Sequence, residues 1–432
     1  MNSKFERELS ELLEQNIITS DTAQKITAYY HTKEEAKPNR LFTIFGVLGA
    51  LLSGLGVILI IAHNWDEMPK NLKTIFAFLP LIIGQISCAY SFIKKKGGAW
   101  IESSATFLIL SVGATISLVS QIYNIPGNFS NFLLVWIAIT APLMYLLRSN
   151  IAVLLHLVLI TWYACELGYG YRSPMPWWYL PLLAWVVPYY IRLQKQEAQS
   201  NIAGVLNWLL PLSPIIVLGT FTSGDISSFL MYLGLFGLLY NLGELPQFKN
   251  QKLRRNGYTV MGSLGTITIL MVLTFEWFWK DATRDSYEQI NIMLTSIPFL
   301  AAFAVLIYVH LKKHVKTFNL FQYAFLVVGI LYLTNHLGYI HNIILTNILV
   351  AALGLFAIRI GINKSSYAIL NYGLLTITVL IVCRFFDTNL DFIIRGILFI
   401  SVGAGFFFAN YLLLKKQRKS VLENNTKEEN NA

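Results

Sequence analysis

Arg384, Asp387, Asp391 and Arg395 run positive, negative, negative, positive at three- and four-residue steps between two apolar runs. Two guanidinium groups and two carboxylates so placed can either close a hairpin through ion pairs or form an anion-recognising cluster. Charge beside lipid is costly unless it meets a partner or water. His156 and Glu166 are titratable residues inside another apolar run. A lone histidine at such depth is either a hydrogen-bonded packing residue or a proton carrier. A third set lies nearer the start, in His63-Asn64-Trp65-Asp66-Glu67-Met68-Pro69 and Gln121-Ile122-Tyr123-Asn124-Ile125. Asn64, Trp65, Asp66, Gln121 and Tyr123 would line an outward-facing polar pocket. Asp66 and Glu67 also have a plainer use, because acids favour the positive end of a helix and Pro69 suits its first turn.

Other chemistry is not encoded in recognisable form. The chain has no Gly-x-Gly-x-x-Gly or phosphate-binding loop, no His-Glu-x-x-His and no Gly-x-Ser-x-Gly. Cys88, Cys165 and Cys383 sit in separate apolar runs without a neighbouring Cys or His at metal-ligand spacing. No catalytic residue, metal ligand or cofactor is therefore assigned, and no enzymatic reaction follows from the sequence.

The elements that must position these residues are set by hydropathy. Of 432 residues, 55% are hydrophobic and 13% charged, about half the charged share of a soluble protein. Too few charges remain to coat soluble domains, so the apolar surface must meet lipid. Net charge is +10, but the lysines and arginines fall in short clusters between apolar runs, which argues against nucleic-acid binding. Residues 1–40 read as a short helical hairpin, with Phe5, Leu9, Leu12 and Leu13 on one face and Ser20 or Asp21 capping the second helix. No cleavable signal-peptide pattern precedes the first apolar run.

Fourteen apolar runs follow, each near the roughly 20 residues a helix needs to cross hydrocarbon. They lie near 41–62, 72–93, 100–123, 129–147, 150–167, 176–192, 201–221, 226–243, 257–277, 288–310, 318–337, 340–360, 366–384 and 390–414. Helices are expected because a backbone in lipid must satisfy its own polar groups. The basic clusters fall on alternate loops, among them Lys94-Lys95-Lys96, Lys249 to Arg255 and Lys312-Lys313. An even count puts them all on one side, with both termini in the cytoplasm. Trp65, Trp177, Trp178, Trp277 and Trp279 fall at outer helix ends, where headgroups favour indoles. Residues 415–432 read as a disordered cytoplasmic tail. The resulting fold class is an all-α integral membrane protein, with a hairpin at 1–40 and a membrane domain at 41–414. Asn64 to Pro69 echoes Asn241 to Pro246, but the likeness stops at six residues and is read as coincidence.

The short helical N-terminal piece, the small-residue first run with Gly46, Ala50 and Gly54, and the Asn64-Trp65-Asp66 and Gln121-Ile122-Tyr123 elements together resemble one family. This is the bacterial membrane family catalogued as domain of unknown function twenty-one fifty-seven, and the resemblance spans roughly the first 150 residues. It implies a bacterial inner-membrane location and no known activity. From the residues themselves two functions lead, and an intramembrane enzyme with residues drawn from separate helices stays open behind them. One is transporter-like handling of a small or lipid-linked solute through the outward polar pocket. The other is a membrane sensor, scaffold or assembly factor whose residues 1–40 dock a cytoplasmic protein partner. The lipid bilayer is a partner in both.

Overall fold

The computed structural model of the chain describes residues 9, 11–15, 17–35, 65, 67–170, 173–222, 226–282, 289–312, 318–335, 338–387 and single positions between 393 and 415. It divides into two compact units, residues 1–79 and 80–432. Among the described residues every regular element is helical and there is no strand.

In the first unit, residues 11–14 are helical, the chain bends at 17–18, and α1 (Ser20–Glu35) follows. The cap differs by one residue from expectation. Thr19, not Ser20 or Asp21, receives the Thr22 amide on its Oγ1 at 3.4 Å. Asp21 instead pairs with Lys25 one turn on, at 2.6 Å, the favoured acid-before-base order. The expected first span at 41–62, with its small-residue steps, lies outside the described residues. Pro69 stands one residue before α2 (Lys70–Ile93) rather than in its first turn, and its carbonyl accepts the amides of Leu72 and Lys73 as the helix begins.

The second unit continues with α3 (Gly98–Tyr123), α4 (Phe129–Leu146), α5 (Asn150–Gly168), α6 (Tyr179–Glu197), α7 (Asn201–Leu218) and α8 (Ile226–Gly243). Then come α9 (Gly257–Leu273), α10 (Glu276–Ala282), α11 (Gln289–Leu311), α12 (Ala324–Leu333), α13 (Tyr339–Asn363) and α14 (Tyr367–Asp387). Nine helices among the described residues are long and apolar enough to cross a membrane, which makes the chain a multi-pass membrane protein.

The expected runs are met unevenly. α6 forms where a span was expected, but Arg192, Lys195 and Glu197 load its last turns with charge, and it is not among the nine. The run at 257–277 is not one helix. α9 stops after 17 residues at Leu273 and α10 restarts at Glu276. The run at 318–337 holds a 3-10 turn (Leu320–Gln322) and the ten-residue α12. Fourteen residues of the run at 390–414 are described, all of them helical, while the rest of that run and residues 416–432 of the tail lie outside the described residues. Trp279 is a correction to the aromatic belt. It is fully buried, because its indole N–H donates to the Leu273 carbonyl at 2.7 Å and closes the broken end of α9. Trp277 and the pair Trp177 and Trp178 are exposed.

Two apolar cores meet along α8. Its Met231, Leu235, Phe236 and Leu239 belong to a core built with α3 to α7. Its Leu230, Leu233 and Tyr240 belong to a second core built with α9 to α14. Close helix approach in lipid needs small residues, since apolar burial alone gives little drive there. α8 and α9 supply them at Gly262, where an added Cβ would lie 2.5 Å from the Tyr240 amide nitrogen.

Candidate functional site

The structure places the sequence-predicted residues at several separate points. Asn64 and Asp66 lie outside the described residues. Trp65 is half-buried in the first unit, with the Lys73 ammonium 5.8 Å from its ring. Gln121 and Tyr123 are exposed on the last turn of α3, which closes with Asn124 in the left-handed conformation at φ 50°. His156 is buried in α5, and its Nε2 lies 3.2 Å from the Leu182 carbonyl of α6. Glu166 is exposed on the last turn of α5 rather than lodged in the interior. Asp387 ends α14, while Asp391 and Arg395 lie outside the described residues.

Arg384 is the predicted residue that enters a built polar site. Its guanidinium lies 4.8 Å from the Phe275 ring centre and donates to Thr274 Oγ1 at 3.3 Å. Thr274 and Phe275 form the break between α9 and α10. A helix end leaves carbonyls without intrahelical donors, and in an apolar bundle each must find one. Asn347 of α13 gives its amide to the Thr274 carbonyl at 3.4 Å and to the Ile343 carbonyl at 2.8 Å. α12 stops at the same end of the bundle and is treated alike. Asn342 Nδ2 donates to the Leu331 carbonyl at 3.0 Å and to Asn335 Oδ1 at 2.9 Å. Asn335 Nδ2 in turn donates to the Trp279 carbonyl at 3.1 Å. Four chain segments are thus joined by side-chain amides and one guanidinium.

Two acceptor-capable atoms in this region lack a partner among the described residues, Thr346 Oγ1 and Asn347 Oδ1. Thr346 is fully buried one turn beyond Asn342. A buried hydroxyl and amide oxygen without partners are costly in an apolar interior and would be relieved by a polar guest. At the rim, Lys280 of α10 binds Glu276 at 2.7 Å and lies 5.6 Å from the Tyr339 ring centre. The Lys280 hydrogen bond and charge hold the exposed Glu276 carboxyl below its ordinary value. The combination of guanidinium, threonine hydroxyl and amides suits a polar or anionic small molecule. Among the described residues no three His, Cys, Asp or Glu side chains gather as a metal site. A separate open groove of about 480 Å³ between α8 and α9, with Phe229, Tyr232 and Phe236 along it, is almost wholly apolar.

The sequence alone pointed to Arg384 but not to Thr274, Asn342, Thr346 and Asn347. A usable signal was present. Asn342, Thr346 and Asn347 recur at four- and five-residue steps in an otherwise apolar run, and so share much of one helix face.

Fold and site define a multi-pass α-helical membrane protein with a polar cluster where two shortened helices end. Residues 10–153 match the profile of the family described as "Predicted membrane protein (DUF2157)", over the stretch where the sequence resembles that family. No curated protein matches the chain, and no solved structure does. The polar cluster lies entirely beyond the matched residues.

Proposed function

We propose that the protein handles a small polar or anionic solute in a transporter-like manner, with Arg384 as the solute-facing cation. The observation that carries this reading is the meeting of two interrupted apolar helices at one polar cluster. α9 ends at Leu273 and α12 at Leu333, and their ends are tied by Thr274, Asn335, Asn342 and Arg384. Broken helices that expose backbone ends to polar side chains are how membrane transporters build binding sites. In this reading fourteen spans hold both termini in the cytoplasm of a bacterial inner membrane. Gln121 and Tyr123, exposed on the last turn of α3, then belong to the outward face. The alternating loop charges support that orientation.

The test is solute flux in proteoliposomes over a panel of carboxylates, phosphate and neutral polyols. Wild-type vesicles should move at least one anionic solute faster than empty ones. Arg384→Gln should cut that flux at least tenfold, while Arg384→Lys keeps part of it. Wild-type vesicles indistinguishable from empty ones across the panel would sink the proposal.

One observation favours the second reading, a sensor or scaffold acting through the N-terminal piece. Leu12, Leu13 and Ile17 are 37%, 40% and 62% exposed, an unusual clustering of large apolar side chains that suits a protein partner. Deletion of residues 1–38 should then abolish partner recovery while the membrane domain still purifies folded.

A further inference from the structure

The connection between α8 and α9 is basic, Lys249-Asn250-Gln251-Lys252-Leu253-Arg254-Arg255, and it is held in one shape. Asn207 of α7, fully buried, donates Nδ2 to the Arg255 carbonyl at 2.9 Å. Its Oδ1 accepts from Tyr190 and from Gln194, both at 2.6 Å. The neighbouring Trp208 gives its indole N–H to the Arg254 carbonyl at 2.9 Å. Asn256 closes the loop on itself, donating to the carbonyls of Gly243 and Phe248 and accepting the Thr259 amide. The Arg255 guanidinium folds inward onto the Ser200 carbonyl. Lys249 is neutralised by Glu244 at 3.2 Å.

That arrangement turns Lys252, Leu253 and Arg254 outward. All three are exposed, and among the described residues no carboxylate forms an ion pair with Lys252, Arg254 or Arg255. Their position is the end of two candidate spans, where Ile226–Gly243 finishes and Asn201–Phe221 starts. At such an end of a membrane-spanning helix the surrounding layer is lipid headgroups. A leucine between two cations, backed by an indole, matches such a layer in both charge and polarity.

We infer that Lys252, Leu253 and Arg254 form a preformed seat for the phosphate headgroup of an anionic phospholipid. The two cations meet the phosphodiester and Leu253 dips into the upper acyl region. Asn207 and Trp208 are positioning residues, because they hold the loop through the Arg254 and Arg255 carbonyls and, for Asn207, through the Gln251 side-chain oxygen at 3.3 Å. Each basic residue near an anionic surface contributes about a fivefold gain in binding, so both together give about thirtyfold.

The experiment is lipid binding to the full-length protein in detergent, followed by native mass spectrometry and by thermal unfolding. The probes are phosphatidylglycerol, phosphatidylcholine and inorganic phosphate. Phosphatidylglycerol should bind and stabilise in preference to phosphatidylcholine. The double variant K252Q/R254Q should lose about thirtyfold in phosphatidylglycerol affinity, with phosphatidylcholine binding and the lipid-free melting temperature unchanged. Trp208→Phe should weaken the preference while leaving both cations in place. Equal binding of the two lipids, or a double variant that keeps the wild-type preference, would overturn the inference. So would inorganic phosphate reproducing the effect at equal concentration, since the site would then serve a free anion.

Discussion

Asn342 shows how a single polar side chain can hold a helix end in this bundle. It is 2% exposed and donates at once to the Leu331 carbonyl and to Asn335 Oδ1. Asn342→Leu keeps the side chain's branched heavy-atom outline but removes both donated hydrogen bonds, leaving buried acceptors unmet. The expected loss is about 1–3 kcal/mol, read as a lower melting temperature of the purified protein in detergent. His156 makes one contact of this kind, to Leu182. His156→Leu should cost less, about 0.5–1.5 kcal/mol, and should leave solute flux unchanged. Flux that collapses in a folded His156→Leu protein would make this residue part of the solute path. Arg384 was visible in the sequence because charge in an apolar run is rare. The asparagines were less visible, because an amide in such a run carries no sign of which distant carbonyl it must meet.

At the scale of elements, apolar runs near 20 residues located most helices, and Pro69 marked the start of one. The break at Thr274–Phe275 escaped because no Gly or Pro marks it, and Glu276 directly after it was the one charged signal. What ends α9 is tertiary: the Trp279 indole and the Asn347 amide take the carbonyls of Leu273 and Thr274. The start of α5 is tertiary as well. Glu102 of α3 accepts the amides of Asn150 and Ile151 at 2.9 and 3.0 Å and the Ser149 hydroxyl. A carboxylate there meets the positive end of the helix, so Glu102→Ala should lose about 1–2 kcal/mol by the same melting assay. Glycines separate by what surrounds them. At Gly262 an added Cβ would press on the Tyr240 amide and the Phe236 carbonyl, which are backbone. Gly262→Ala should therefore destabilise by about 1–3 kcal/mol. Nothing lies within 4 Å of a Cβ at Gly98, and Gly98→Ala should stay within about 0.5 kcal/mol of wild type.

For the whole molecule, composition alone identified the membrane class, because the chain has too few charges to cover a soluble surface. Which helices adjoin one another was not legible. In lipid nearly every helix is apolar all round, so the amphipathic stripe that would name a partner is missing. Topology can be tested across one helix, since α9 separates Lys252 from Lys280. Single cysteines at these positions, with Cys88, Cys165 and Cys383 replaced, should react with an impermeant maleimide from opposite sides of the membrane.

The same cysteine-free background gives the most direct test of the central claim, that a hydrated solute site lies where α9 and α12 stop. Thr346→Cys changes little in size and puts a thiol at a fully buried position in that region. Maleimide should label this thiol from the side that bears Lys280, more slowly than at Lys280→Cys, and a transported anion should suppress the reaction. No labelling at Thr346→Cys, in a folded protein whose Lys280→Cys control reacts fully, would contradict it and leave a dry, packed bundle in its place.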